Sequence, residues 1–240
     1  MVKFSVDMQL FYNQNFTADS LQELTAGQSH HCVNVLRMGS GSTLWVSDGA
    51  GTLYECRIVE PSAKRLVVEV IATQKEYGKR PYTLDLAVAP TKNFDRMEWL
   101  VEKATEVGID SFTPLLCEHS ERKVVKDERL IRIVESAAAQ SEKAYLPRVN
   151  SLTPFKKFIA DHPKGLIAHC IDGAAQPKIT LPAQTHYTIL IGPEGDFSPA
   201  ELDRAIEAGY QGLTLGSERL RTETAALYAT IGAAFQNFSL

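Results

Sequence analysis

Tyr187-Thr188-Ile189-Leu190-Ile191-Gly192-Pro193-Glu194-Gly195-Asp196-Phe197-Ser198-Pro199-Ala200-Glu201 is the stretch whose reading decides the fold. An apolar run of strand character ends at Ile191 and meets a turn rich in glycine and proline. A helix with a well-specified start follows. Ser198 stands at the N-cap, Pro199 at the first helical position, and Glu201 completes a capping box. Gly192 to Asp196 is therefore a tight turn at the carboxyl end of a strand, the edge at which open α/β sheets bind ligands. Glycine there lets the backbone approach a ligand closely, so Gly192 and Gly195 are expected to tolerate a side chain least. A plain strand-to-helix connection has the same pattern, and this segment alone does not choose between scaffold and site.

A second turn lies downstream. Leu213-Thr214-Leu215-Gly216 reads as another short strand ending in glycine. Ser217-Glu218-Arg219-Leu220-Arg221-Thr222-Glu223-Thr224-Ala225 then leads into a helix of small residues. Arg221 and Glu223 flank that turn. They read equally as surface charges paired with each other, and an exposed pair contributes only about 0–1 kcal/mol.

Working outward, strands alternate with helices through the C-terminal two-thirds. Tyr82 to Val88, Ser111 to Leu116, Gly165 to Cys170 and Tyr187 to Ile191 read as strands. Asn93 to Val107, Asp127 to Ala144, Ser198 to Ala208 and Thr222 to Phe238 read as helices. This alternation predicts an α/β fold with a parallel sheet covered by helices. The first third differs. Gln9 to Tyr12, Thr43 to Ser47, Leu53 to Val59 and Arg65 to Ile71 read as short strands separated by turn residues, which suggests a small barrel. His30 to Leu36 reads as one short helix within it. The polar stretch Tyr77-Gly78-Lys79-Arg80-Pro81 is the expected linker, dividing the chain into domains 1–76 and 77–240. Met1 to Asp7 reads as a dispensable extension.

Composition narrows the class. The chain has 240 residues, 44% of them hydrophobic and 22% charged, which is ordinary for a globular protein. No apolar run has the length of a membrane span, and the N-terminus lacks the plan of a signal peptide. Cys32, Cys56, Cys117 and Cys170 show no paired spacing, and the histidines show no ligand spacing. Reduced thiols, a cytoplasmic location, no membrane and no metal are the expectation. The net charge of −4 does not favour a polyanionic partner, but binding depends on local patches. Basic residues cluster from Arg122 to Arg148 among acidic ones, which equally describes a solvated helix face.

Combined, the two glycine turns resemble the C-terminal signature of the ribosomal RNA small-subunit methyltransferase E family. The resemblance continues in order along the chain through His31-Cys32-Val33-Asn34-Val35-Leu36-Arg37, Lys92, Arg96-Met97-Glu98, Lys103-Ala104-Thr105-Glu106-Val107-Gly108, Ser120-Glu121-Arg122 and Glu135 to Ser141. It implies a C-terminal SPOUT α/β domain with a deep trefoil knot and a small N-terminal PUA-like β-barrel that binds RNA. It implies S-adenosyl-L-methionine as cofactor and N3 of a uridine in small-subunit (16S) ribosomal RNA as acceptor, in the assembled subunit. It also implies a homodimer.

Carried onto this sequence, the cofactor site falls on Ile191, Gly192, Pro193, Glu194, Gly195, Leu215, Gly216, Leu220, Thr224 and Ala225. Arg221 becomes the candidate for stabilising charge on the base, and Glu223 for orienting Arg221 or accepting a proton. His31, Arg37, Lys92, Arg96, Lys103 and Arg122 become candidate RNA contacts. His31 reads equally as a core histidine, and Lys103 as the partner of Glu106 on its helix. Arg96 and Lys103 share a helical face, which Lys92 joins if the helix starts early. Two departures stand out: the common pattern has a second glycine where Asp196 stands, and its frequent N-terminal arginine has no counterpart around Gln9 to Tyr12. A SPOUT enzyme acting on transfer RNA or a ribose 2′-hydroxyl, and a non-catalytic RNA-binding assembly factor, remain the alternatives.

Overall fold

A computed structural model describes residues 8–170 and 180–238. The stretch Met1 to Asp7, read above as an extension, lies outside the described residues. The chain divides into two units, one running up to Lys79 and including Ala138–Leu146, the other made of Arg80–Ala137 and the chain from Pro147 onward.

The first unit is built on β1 (Leu10–Tyr12), β2 (Leu21–Glu23), β3 (Thr43–Ser47), β4 (Leu53–Glu60) and β5 (Val67–Gln74). They pair in the order β1-β3-β4-β5-β2, with β1 parallel to β3 and the other ladders antiparallel. Alternation sends Leu44, Val46, Cys56, Ile58 and Val68 into one core with Phe16, Leu24 and Cys32. Leu10 and Leu53 pack in a smaller cluster with Ala144 and Trp45. The helix expected at His30 to Leu36 starts earlier. Helix α1 (Ala26–His30) is nucleated by a Thr25/Gln28 capping box and runs on as a π-helical turn, His31–Val35. Strand β2 has no β-branched residue to announce it and exists through its ladder to β5.

The second unit contains β6 (Thr83–Val88), α2 (Phe94–Val107), β7 (Ser111–Leu116), α3 (Asp127–Gln140, whose end from Ala138 on belongs to the first unit), β8 (Arg148–Val149), β9 (Thr153–Pro154) and α4 (Phe155–Asp161). It continues with β10 (Gly165–Ala168), β11 (His186–Ile191), α5 (Pro199–Glu207), β12 (Tyr210–Leu213) and α6 (Thr222–Gln236). The sheet runs β12-β10-β11-β6-β7-β8, with β9 also on β7, and every ladder in it is parallel. Its central strands are apolar on both faces, as helix-covered parallel strands must be: Leu84, Leu86, Ala87, Val88, Tyr187, Ile189 and Leu190 are all buried.

Three expectations need correction. The helix read as Asp127 to Ala144 stops at Gln140, and Glu142 turns into the left-handed region at φ 55°. Lys143 to Leu146 instead join the first unit. The Ser47 hydroxyl donates to the Ala144 carbonyl at 2.8 Å, and Leu146 N–H donates to the Gly49 carbonyl at 2.9 Å. The strand read as Leu213 to Gly216 is Tyr210–Leu213, in register with Gly165–Ala168, so Leu215 and Gly216 belong to the loop beyond it. Tyr210 sets that register, with a buried ring and a hydroxyl donating to the His162 carbonyl at 2.6 Å. Helix α4 was not expected, although Phe155, Phe158 and Ile159 show the helical spacing of its buried face.

Candidate functional site

Strands β10, β11 and β12 are adjacent and parallel, so they end on the same edge of the sheet at Ala168, Ile191 and Leu213. The loops leaving those ends enclose a cleft of about 710 Å³. That volume is typical of small-molecule sites, which span roughly 300–1,000 Å³. Ile191, Gly192, Pro193, Glu194 and Gly195 form one wall, and Leu215, Gly216, Leu220 and Ala225 form another. Thr224 is exposed and is not among the lining residues. The third wall, Ala168, His169 and Cys170, was missed because no glycine stands directly at the end of β10.

The turn after β11 is held from below. Ser198 caps α5 as its sequence predicts, accepting from Glu201 N–H at 3.3 Å, while Glu201 accepts from Ser198 N–H at 3.0 Å. The other Glu201 oxygen accepts from Glu118 N–H at 2.9 Å, which ties the helix start to the chain beyond β7. From that same segment, His119 Nδ1 donates to the carbonyls of Gly195 at 3.2 Å and Asp196 at 3.0 Å. The Thr222 hydroxyl donates to the Gly192 carbonyl at 3.2 Å, joining the two glycine turns.

The glycines are not equivalent. A Cβ on Gly192 would lie 3.1 Å from the Phe197 ring, so the buried ring would have to give way to admit it. A Cβ on Gly195 would meet only His119 Cβ at 3.4 Å, an ordinary contact, so the expected intolerance has no steric basis there. Gly216 has open space but a φ of 108°, which a side chain rarely adopts. Asp196 sits at φ 64°, keeping the turn that glycine would otherwise make. Its two oxygens accept from Phe197 N–H and Cys170 N–H, each at 2.7 Å.

The charged candidates separate. Arg221 is exposed, precedes the first residue of α6, and lines the cleft. Glu223, in the first turn of α6, is 8% exposed and lies outside the cleft lining. Its carboxylate lies 3.7 Å from Arg96 Nε on α2. Arg221 and Glu223 are thus not set against each other: Glu223 meets Arg96, and Arg221 lines the cleft. Lys92 precedes α2, whose N-cap is Asn93, so it does not extend the Arg96–Lys103 face. Its N–H donates to Glu194 at 3.0 Å, and its ammonium meets Glu121 at 3.0 Å, which raises the lysine pKa. Arg122 donates to the carbonyls of Thr91 at 3.2 Å and Lys92 at 2.9 Å and lies over the Phe94 ring. Lys103 lies 2.7 Å from both Glu102 and Glu106. In the first unit His31 is exposed, edge-on to Phe11, rather than a core residue. Arg37 is exposed at φ 55°.

Among the described residues no helix is long and apolar enough to cross a membrane, and no group of three His, Cys, Asp or Glu side chains could hold a metal.

Residues 78–233 match the family model of an RNA methyltransferase domain, and residues 24–71 match that of an RNA methyltransferase PUA domain. The Bacillus subtilis protein named ribosomal RNA small subunit methyltransferase E is 30% identical over 230 residues, covering 89% of each chain. Its namesake from Synechocystis is 32% identical over 217 residues, covering 86% of this chain and 70% of that one. Among solved structures, a chain from Porphyromonas gingivalis described as a "probable rRNA-methyltransferase" superposes with a TM-score of 0.86 at 35% identity, covering 96% of this chain and 98% of that one. The Neisseria gonorrhoeae ribosomal RNA small subunit methyltransferase E, solved bound to S-adenosyl methionine, gives 0.78 at 26% identity, covering 93% and 95%. An α/β domain with a cleft at the ends of three parallel strands, preceded by a PUA-like domain, agrees with these matches, and the chain belongs to the ribosomal RNA small-subunit methyltransferase E family.

Proposed function

We propose that this protein transfers a methyl group from S-adenosyl-L-methionine to N3 of a uridine in small-subunit ribosomal RNA, acting as a homodimer on the assembled subunit. The observation that carries the reading is the convergence of the loops after β10, β11 and β12 on one cleft, two of them being the glycine turns of the family signature. The reading includes the SPOUT arrangement, in which these strands and loops thread as a trefoil knot.

The cleft suits the cofactor in size and in chemistry. It offers apolar surface at Ile191, Leu215 and Leu220 and a turn at Gly216 where backbone, with no Cβ, faces open space. When bound, S-adenosyl-L-methionine supplies an electrophilic methyl on its sulfonium. The protein must then position the base and favour the anion left when N3 gives up its proton. Arg221 is the cation at the cleft wall and is assigned that electrostatic role. Glu223 acts on Arg96, fixing a second cation on α2, rather than on Arg221. Arg96, Lys92 and Arg122, with His31 and Arg37 in the PUA-like unit, are assigned to RNA. Lys103 is the weakest of that set, being neutralised by its own helix.

The dimer reading draws support from α6. Tyr228, Ile231 and Phe235 are 56%, 49% and 79% exposed and recur at the spacing of one helical face. Such a stripe is what a second copy would cover.

The deciding experiment is methylation of small subunits isolated from a strain lacking the enzyme, with the modified base and atom mapped. Label at uridine N3 is expected. Transfer to a ribose hydroxyl, or to transfer RNA only, would replace this assignment. Cofactor binding without transfer, where a control enzyme works, would point to an assembly factor.

A further inference from the structure

We propose that Asp196 is a positioning residue that holds the cofactor cleft in its binding-competent form, by tying Cys170, just past the end of β10, to the turn after β11. The inference rests on the cofactor reading above. The Asp196 backbone does not require this residue. At φ 64° glycine is the unstrained choice, and the turn is closed by Asp196 N–H donating to the Pro193 carbonyl at 2.9 Å. What glycine lacks is the carboxylate. One oxygen accepts from Phe197 N–H in its own turn, and the other accepts from Cys170 N–H, 26 residues earlier in sequence, each at 2.7 Å. Cys170 and Asp196 both line the cleft, on different walls.

The two ends of this link differ in how firmly they are held. Asp196 is anchored independently: His119 donates to its carbonyl at 3.0 Å, and the neighbouring Phe197 is buried against Phe155 in the core. At Cys170 the strand has already ended, at Ala168. The carboxylate therefore positions Cys170 relative to the turn, and not the reverse. Bonds from N–H to an ionised carboxylate are among the stronger ones. Strained residues persist where they serve a ligand clamp, and a wall fixed in advance spares the binding step its ordering cost.

The test compares the full-length protein with Asp196→Gly and Asp196→Asn. The readouts are calorimetric titration with S-adenosyl-L-methionine, thermal unfolding, and hydrogen exchange at the Cys170 amide. Asp196→Gly relieves the backbone strain, which offsets much of the loss of its two acceptors, so it should unfold close to wild type, yet bind the cofactor about tenfold more weakly, as loss of a charge-assisted bond implies. Its Cys170 amide should exchange faster. Asp196→Asn keeps one acceptor oxygen but turns an NH₂ towards a donor, so it should fall between the two. Wild-type affinity and unchanged Cys170 exchange in Asp196→Gly would overturn the proposal. So would early unfolding of both variants, which would make the residue one of folding. A wild-type protein that binds no cofactor would instead remove the functional reading on which the proposal stands.

Discussion

Replacing Glu201 by alanine should destabilise the methyltransferase unit by about 2–4 kcal/mol. The side chain is 6% exposed, and each of its oxygens accepts one backbone N–H, from Ser198 at 3.0 Å and from Glu118 at 2.9 Å. Alanine accepts from neither. A buried donor left without a partner costs about 1–3 kcal/mol. Ser198 N–H is buried and should lie high in that range, while Glu118 N–H is partly exposed and should lie low. A chain of this size shifts its melting temperature by about 2–4 °C per kcal/mol, so a fall of roughly 4–16 °C follows. Glu201→Gln retains one acceptor and should lose about half as much.

The assay can be made specific to the unit. The chain has two tryptophans, and Trp45 and Trp99 fall one in each unit. In a Trp45→Phe background, tryptophan fluorescence follows the methyltransferase unit alone. A melting temperature of Glu201→Ala within about 1 °C of its parent would refute the reasoning. It would mean that water satisfies both donors and that the helix start does not depend on the link to the segment beyond β7.

Other outcomes follow from the same geometry. Arg221→Ala should lower turnover more than a hundredfold, in line with loss of a transition-state charge contact, while leaving thermal stability unchanged because the side chain is exposed and caps nothing; unfolding of the variant would show a structural role instead. Gly216→Ala should weaken cofactor binding and lower stability by about 1–3 kcal/mol, since the φ of 108° is strained for alanine although no atom blocks its methyl group; calorimetry showing unchanged affinity would count against the placement of this turn. At pH 8 a thiol-alkylating reagent should label Cys170 first. Burial pushes the thiols of Cys32 and Cys56 up to about 11 and about 12, and raises that of Cys117 further, whereas Cys170 is exposed. S-adenosyl-L-methionine should slow that labelling, because Cys170 lines the cleft, and mass spectrometry of the labelled peptides reads both results. Phe235→Asp should shift light scattering from dimer towards monomer, since an acid would then face the partner across an apolar stripe; an unchanged mass would move the interface elsewhere.

Where local chemistry was sufficient, the sequence was legible. Ser198, Pro199 and Glu201 fix the start of α5 through contacts within one turn, and the structure has that cap as read. Strands β3 and β7 likewise begin and end where their sequence pattern predicts. The apolar run into Ile191 is equally local, because a strand buried on both faces carries its signal in its own composition. Where an element depends on a neighbour, the signal failed. Strand β2 is defined by its partner, the end of α3 by the return of Ala144 to the first unit, and β12 by register with β10 rather than by its own glycine.

For the site, the sequence by itself determined the two glycine turns and the family they signify, since both are short motifs whose residues act through nearby backbone. Only the tertiary structure decided what those turns face. Parallel pairing of β10 with both β11 and β12 adds a third wall that includes Cys170, a position with no motif of its own. Packing of α6 on α2 gives Glu223 to Arg96 and leaves Arg221 at the cleft, although the two residues are only two apart in the chain. The reason is geometric: Arg221 is the extended N-cap of α6 while Glu223 lies in its first turn, so the two side chains leave the chain in different directions and meet different neighbours. Asp196 joins both levels. Its residue type suits a left-handed turn, as the sequence indicates, but the amide its carboxylate reaches lies on a different strand's loop, which only the fold brings near.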